Sequence, residues 1–324
     1  MDRRWSMGRG QETWDSDGER LVTEQRRRIA AYGLCRDGDR VLLARAARTV
    51  AFPGRWQLPG GGVDHGEHPA TTVVREFGEE TGLEVEVSGL RNVVADVIRL
   101  PYQDSLVVHT DRVIYDVTPI GGTLRHEREG TTDRIAWVGP LELPGLSLMP
   151  FTAQLLGVPV VPLPEADLAG SPPAGLPPGR RQRFAAYGLA TDPADRVLLS
   201  LIAPGYPGAG RWHLPGGGTD HGEQPEAALL RELVEESGQL GRVTDLLSVS
   251  HRYSPAELGP EGVPIDWHGV RAVYRVAVDV PTEPKVTEAA GGSTARAAWF
   301  SVRDALNLPL TEVTVAALGQ LGSK

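Results

Sequence analysis

The chain has 324 residues, 40% of them hydrophobic and 23% charged, with a formal net charge of −9 and a single cysteine. At about 150 residues per domain this length predicts two domains, each able to bury a core without a metal or disulfide. The lone Cys35 excludes an internal disulfide framework, the acidic balance argues against a general nucleic-acid surface, and no apolar run approaches the ~18 residues of a membrane span.

Residues 1–28 are polar and charged, hold Trp5 and Trp14, and lack the apolar core of a secretion signal, so they read as a polar tail of a cytoplasmic protein, either loose or strapped over the other domain. Arg28 to Leu34 is strand-like, and Asp37-Gly38 is a hairpin turn into Arg40 to Ala44. A glycine-rich loop, Pro59 to Gly66, leads to a helix expected from Pro69 to Thr81 and closed by Gly82. The alternating runs Val93 to Leu100 and Arg112 to Val117 predict strands, and a last helix is expected near Pro150 to Leu156.

The pattern then starts again. Ala31-Tyr32-Gly33-Leu34 returns as Ala186-Tyr187-Gly188-Leu189, and Arg55 to Gly62 returns as Arg211 to Gly218 with one change, Gln57 to His213. His109, Arg112 and Tyr115 keep their spacing in His268, Arg271 and Tyr274, and Trp137 recurs as Trp299. Such self-similarity marks a domain duplication, 29–157 and 183–324, joined by a proline-rich linker over 158–182. Strands and helices mixed in this order predict an α/β sandwich in each copy.

The informative stretch is Gly61 to Leu83. At ~100° per residue its helix places Ala70, Val73, Val74 and Phe77 on one face, and Glu76, Glu79 and Glu80 together on another. Carboxylates at i, i+3 and i+4 repel one another, so a compensating cation is expected. Hard divalent ions such as Mg2+ or Mn2+ take oxygen ligands and suit this face. The glycines ahead of the helix allow an anion close to the backbone. A solvated acidic face is the plain alternative. Against it, Glu232, Glu235 and Glu236 return behind Gly216-Gly217-Gly218, while Thr71-Thr72-Val73-Val74 has drifted to Ala227-Ala228-Leu229-Leu230.

Both segments resemble the Nudix box, GX5EX7REUXEEXGU, where U is a bulky apolar residue. The first copy fills every position: Gly61, Glu67, Arg75-Glu76-Phe77, Glu79-Glu80 and Gly82-Leu83. The second has Gly217, Glu223, Arg231-Glu232-Leu233, Glu235-Glu236 and Gly238, then Gln239 where U is expected. The resemblance implies two tandem α/β/α sandwich domains with mixed sheets. It also implies Mg2+-dependent hydrolysis (Mn2+ as a substitute) of a small nucleotide or other diphosphate substrate, by water attack on phosphorus.

Carried over position by position, Glu76, Glu79 and Glu80 resemble the catalytic metal ligands, joined by the carbonyl of Gly60. Arg75 orients the acids and Glu67 supports the loop. The second set is Gly216, Glu223, Arg231, Glu232, Glu235 and Glu236. Relatives add an acid from a later loop, for which Glu127 and Glu129 stand in the first copy and Glu288 in the second. On the substrate side, Arg112 and Arg271 have two readings, a phosphate clamp or an exposed strand residue. Gly78 costs the first helix ~1 kcal/mol relative to alanine, and Gln239 is expected to loosen the end of the second. Two alternatives to the nucleotide hydrolase stay open: a nucleotide-binding or sensing protein with one silent domain, and a hydrolase of a non-nucleotide diphosphate. A two-domain monomer and a homodimer are both compatible with the duplication.

Overall fold

The structure, a computed structural model, describes residues 12–14, 20–22, 24–100, 106–126, 130–163, 176–177, 179–258, 263–287 and 292–321. The chain divides into two compact units, Met1–Gln182 with Ser254–Trp267, and Arg183–Tyr253 with His268–Lys324. Two short strands, β1 (Glu12–Trp14) and β2 (Arg20–Val22), pair antiparallel inside the segment read as a polar tail. Thr13-Trp14 and Leu21-Val22 are strand formers, which local charge obscures in the composition.

The first sheet is built from β3 (Gln25–Asp37), β4 (Arg40–Ala46), β5 (Trp56–Gln57), β6 (Gly60–Gly62), β7 (Leu83–Leu100), β8 (Leu106–Gly122) and β9 (Thr132–Val138). Its main path runs β5-β4-β3-β8-β7, with β6 on β3 and β9 on β4. The β3–β8 pair is parallel and the other pairs are antiparallel, so the sheet is mixed as expected. Three register shifts bend the long β7–β8 hairpin between Glu84 and Asn92. Both strands outrun the alternating runs that betrayed them: Leu83–Asn92 of β7 is mostly part-exposed and lacks apolar periodicity, whereas Leu106–Asp111 of β8 is buried on both faces and so does not alternate.

Helices cover both faces. Side chains alternate along β3. Gly33 faces Val73 and Phe77 of α1 (Pro69–Thr81), and Tyr32 meets Phe151 of α2 (Pro150–Leu156) at 4.8 Å between ring centroids. Pro69 opens α1 at its first turn, His68 Nδ1 accepts from the Ala70 amide at 3.0 Å, and Gly82 closes the helix. The buried arc of α1 runs through Thr72, Val73, Phe77 and Glu80, so Val74, expected on the apolar face, is exposed.

The second unit repeats the plan with β10 (Arg180–Thr191), β11 (Arg196–Ile202), β12 (Trp212–His213), β13 (Gly216–Gly218), β14 (Arg242–Leu258), β15 (Pro264–Ala277) and β16 (Thr294–Ser301). Its helices are α3 (Pro225–Ser237), the single turn α4 (Val302–Ala305) and α5 (Glu312–Gly319). Gln239 overturns one expectation. Its buried amide donates to the Ser237 carbonyl (3.1 Å) and Thr282 Oγ1 (2.9 Å) and accepts from the Thr282 amide (2.9 Å), so it pins the end of α3 instead of loosening it.

A Cβ built on Gly78 meets nothing within 4 Å. Gly78→Ala is therefore expected to stabilise the first unit by about 1 kcal/mol, read from denaturant unfolding curves.

Candidate functional site

The glycine strands lie where no side chain fits. Gly60 has φ 141°, and a Cβ on it would stand 2.3 Å from the Ala31 carbonyl oxygen. On Gly61 it would stand 2.5 Å from Glu76 Oε1. The equivalent distances at Gly216 and Gly217 are 2.2 Å and 2.5 Å. Bare backbone therefore packs against the first acid of each helix.

One guanidinium organises the acids. In the first unit Arg75 Nε and Nη2 donate to Glu67 (3.1 and 3.0 Å), and Nη1 reaches both Glu76 (3.0 Å) and Glu79 (3.2 Å). Nη2 also meets the Gly62 carbonyl at 3.3 Å. Arg231 makes the same set with Glu223, Glu232, Glu235 and the Gly218 carbonyl, at 2.9–3.3 Å. The bonds to Glu67 and Glu223 hold these guanidinium groups above the ordinary arginine range. Burial alone would raise the Glu67 carboxyl, but bonds from Arg75, Thr72 and the Asp64 amide outweigh it and hold it below its usual range. At Glu76 burial wins over Arg75 and pushes the carboxyl up.

Glu80 and Glu236 turn the other way. Only 2% and 4% exposed, they lie on the buried arc of their helices and not beside Glu79 and Glu235. Glu80 accepts from the Gly60 amide (2.9 Å) and Thr132 Oγ1 (2.7 Å). Glu236 accepts from the Gly216 amide (3.0 Å), Thr294 Oγ1 (2.5 Å) and Ser200 Oγ (3.1 Å). Burial pushes the Glu236 carboxyl up to about 7. Thr132 and Thr294 escaped the motif reading, although each stands five residues before its copy's tryptophan, Trp137 or Trp299.

The single acidic face expected on each helix is thus divided. Among the described residues no three His, Cys, Asp or Glu side chains stand together to hold a metal. The donor set nevertheless fits a hard cation: Glu76 and Glu79 already converge on one cationic nitrogen, and all their donors are oxygens. Glu127, Glu129 and Glu288 lie outside the described residues.

The His-Arg-Tyr pattern of β8 is buried throughout, because the strand runs between β3 and β7. His109 bonds Asp111 at 3.1 Å, and Arg27 closes the pair from Asp111's other oxygen at 3.0 Å. Arg112 is not an exposed strand residue. It is ion-paired to Asp96 and lies 4.6 Å above the Phe151 ring. Arg271 is half-buried.

The model of the NUDIX domain matches this chain twice, at residues 24–156 and 181–317. The chain belongs to the Nudix family. It is 33% identical over 122 residues to a putative 8-oxo-dGTP diphosphatase 2 of Mycobacterium tuberculosis, covering 38% of this chain and 80% of that protein. It is 34% identical over 108 residues to a MutT-like protein of Streptomyces ambofaciens, covering 33% of this chain and 60% of that relative's length. Among solved structures, the MutT NUDIX hydrolase of Burkholderia pseudomallei is 32% identical, with 44% of this chain and 98% of that one covered and a TM-score of 0.35. Nudix hydrolases generally use divalent metal ions. Among the described residues no helix is long and apolar enough to cross a membrane.

The raised carboxyl of Glu236 sets a pH dependence. Its pKa is about 7 in the fold against its usual 4.5. Proton uptake therefore favours the folded state, fully below about pH 4.5, and this contribution is lost as pH rises through about 7. The effect is on the order of 3 kcal/mol. Denaturant titrations of chelator-treated protein between pH 5 and 8 are expected to show the decline in wild type and to lose it in Glu236→Gln.

Proposed function

We propose that the chain hydrolyses a diphosphate linkage in a nucleotide or nucleoside diphosphate derivative, with one divalent-metal site in each unit. Mg2+ is the proposed ion and Mn2+ its substitute. One observation carries the reading: in both units one arginine holds three of the four box acids, Glu67, Glu76 and Glu79 in the first and Glu223, Glu232 and Glu235 in the second, through the same atoms. The relative named an 8-oxo-dGTP diphosphatase supports a nucleotide as substrate.

Glu76, Glu79 and Glu80 with the Gly60 carbonyl are the proposed ligands in the first unit, and Glu232, Glu235 and Glu236 with the Gly216 carbonyl in the second. A bound divalent ion supplies charge neutralisation on the non-bridging oxygens and lowers the cost of ionising water. The chain's own groups do the positioning. Arg75 keeps the Glu76 and Glu79 carboxylates together, and Glu67 braces Arg75 from behind. The Gly60 amide and Thr132 fix Glu80 across the glycine strand. Arg75 bonds Glu76 through Oε1, which leaves Oε2 as the oxygen that would meet the ion. The bare glycine backbone admits the diphosphate.

A Mg2+-dependent phosphate-release screen over nucleoside triphosphates, oxidised nucleotides, ADP-ribose and sugar nucleotides tests this. Glu80→Gln and Glu236→Gln are each expected to keep partial activity, and the double variant to lose at least ~100-fold. Full activity in the double variant refutes the assignment.

A further inference from the structure

The two units differ most on the sheet face opposite α1 and α3. In the first, Ala30 pairs with Arg112 and Tyr32 with Ile114, which sets Arg112 and Tyr32 side by side on that face. The Arg112 guanidinium lies 5.9 Å from the Tyr32 ring and 4.6 Å from that of Phe151, and Asp96 of β7 neutralises it. Its charge is cancelled and its flat side is covered.

In the second unit Tyr187 replaces Tyr32, His213 replaces Gln57, and Arg271 stands for Arg112. The bridges Trp56–Leu148 and Trp212–Leu310 align α2 with α5, so Val313 takes the place of Phe151. Between Asp245 and Glu257 the β14 sequence contains no carboxylate, so nothing there corresponds to Asp96. Among the described residues Arg271 has no hydrogen bond or ion pair. Its neighbour His213 packs against Tyr187, the ring centroids 4.5 Å apart and the planes tilted by 53°, and bonds Thr311 Oγ1 through Nδ1 at 2.8 Å. Burial and the charge of Arg271 push that imidazole down to about 3, so the ring is neutral and adds no second positive charge beside the guanidinium.

A half-buried guanidinium without a counter-ion carries a desolvation cost that an anionic partner would offset. Its planar fork matches a carboxylate or phosphate. Tyr187 pairs with Gly216, so this face adjoins the glycine strand of the diphosphate site. We infer that Arg271 makes the second unit selective for substrates bearing a further anionic oxygen group, a carboxylate or phosphate, beyond the diphosphate. The first unit, with its arginine neutralised, takes the uncharged counterpart. This rests on the pyrophosphohydrolase reading, which puts a group attached to the diphosphate on this face.

The test is binding, measured by titration calorimetry on the full chain carrying Glu80→Gln and Glu236→Gln so that the probes are not consumed. Two matched pairs differ by one anionic group: NAD+ against NADP+ for phosphate, and UDP-glucose against UDP-glucuronate for carboxylate. The charged member of at least one pair is expected to bind at least tenfold more tightly at one site, and the pair that discriminates identifies the group. Adding Arg271→Gln is expected to abolish the preference, and Arg271→Lys, which keeps the charge, to retain at least threefold. Equal binding within both pairs, or a preference that survives Arg271→Gln, overturns the inference. So does a lysine variant that behaves like glutamine, which would assign the effect to pocket shape. Hydrolysis by the double glutamine variant tells against the pyrophosphohydrolase reading alone, since charge preference is read from binding.

Discussion

Each unit depends on a single guanidinium placed among carboxylates that would otherwise repel one another. Arg75 holds Glu67, Glu76 and Glu79, and Arg231 holds Glu223, Glu232 and Glu235, every contact at about hydrogen-bond distance. Without them the loop and helix after each glycine strand would carry three like charges close together, two of them on part-buried side chains, an arrangement that costs far more inside a protein than in water. The arginine does not cancel all the charge it gathers. Glu79, the one exposed acid of the three, carries part of the surplus at the surface, while Arg28 adds a second positive charge near Glu76.

The buried acid of each helix, Glu80 or Glu236, serves the architecture. Glu80 joins α1 to β6 through the Gly60 amide and to β9 through Thr132. Glu236 joins α3 to β13 and β16, with Ser200 of β11 added. A carboxylate so buried is costly unless hydrogen-bonded, and each receives donors from several strands. The glycine strand, the helix and the sheet are thereby kept in one register.

Duplication has left the two copies alike where many bonds converge and different where packing alone is at stake. The arginine networks agree in every hydrogen-bond partner, because a change at one acid strands the others. On the opposite face the requirement is mainly shape and apolar contact, and there Phe151 has given way to Val313 and Gln57 to His213. Where Asp96 has no successor, the half-buried Arg271 is left without a counter-ion among the described residues.

The duplication, the mixed α/β plan, the helix limits and the identity of the acids were legible in the residues, because glycine spacing, prolines at helix starts and a twofold repeat are local signals. Three things were not. Helical periodicity placed Glu80 beside Glu79, yet burial is decided by what packs on the helix, and the arc through Val73 and Phe77 carries Glu80 inward. Gln239 read as a defect because its partner, Thr282, is forty-three residues away in sequence. The state of Arg112 and Arg271 depends on which strand lies alongside and whether it offers a carboxylate. Composition and spacing determine which groups the chain owns; only tertiary packing decides which of them are neutralised, buried or left facing a ligand, because Coulomb and desolvation energies depend on neighbours that sequence order does not reveal.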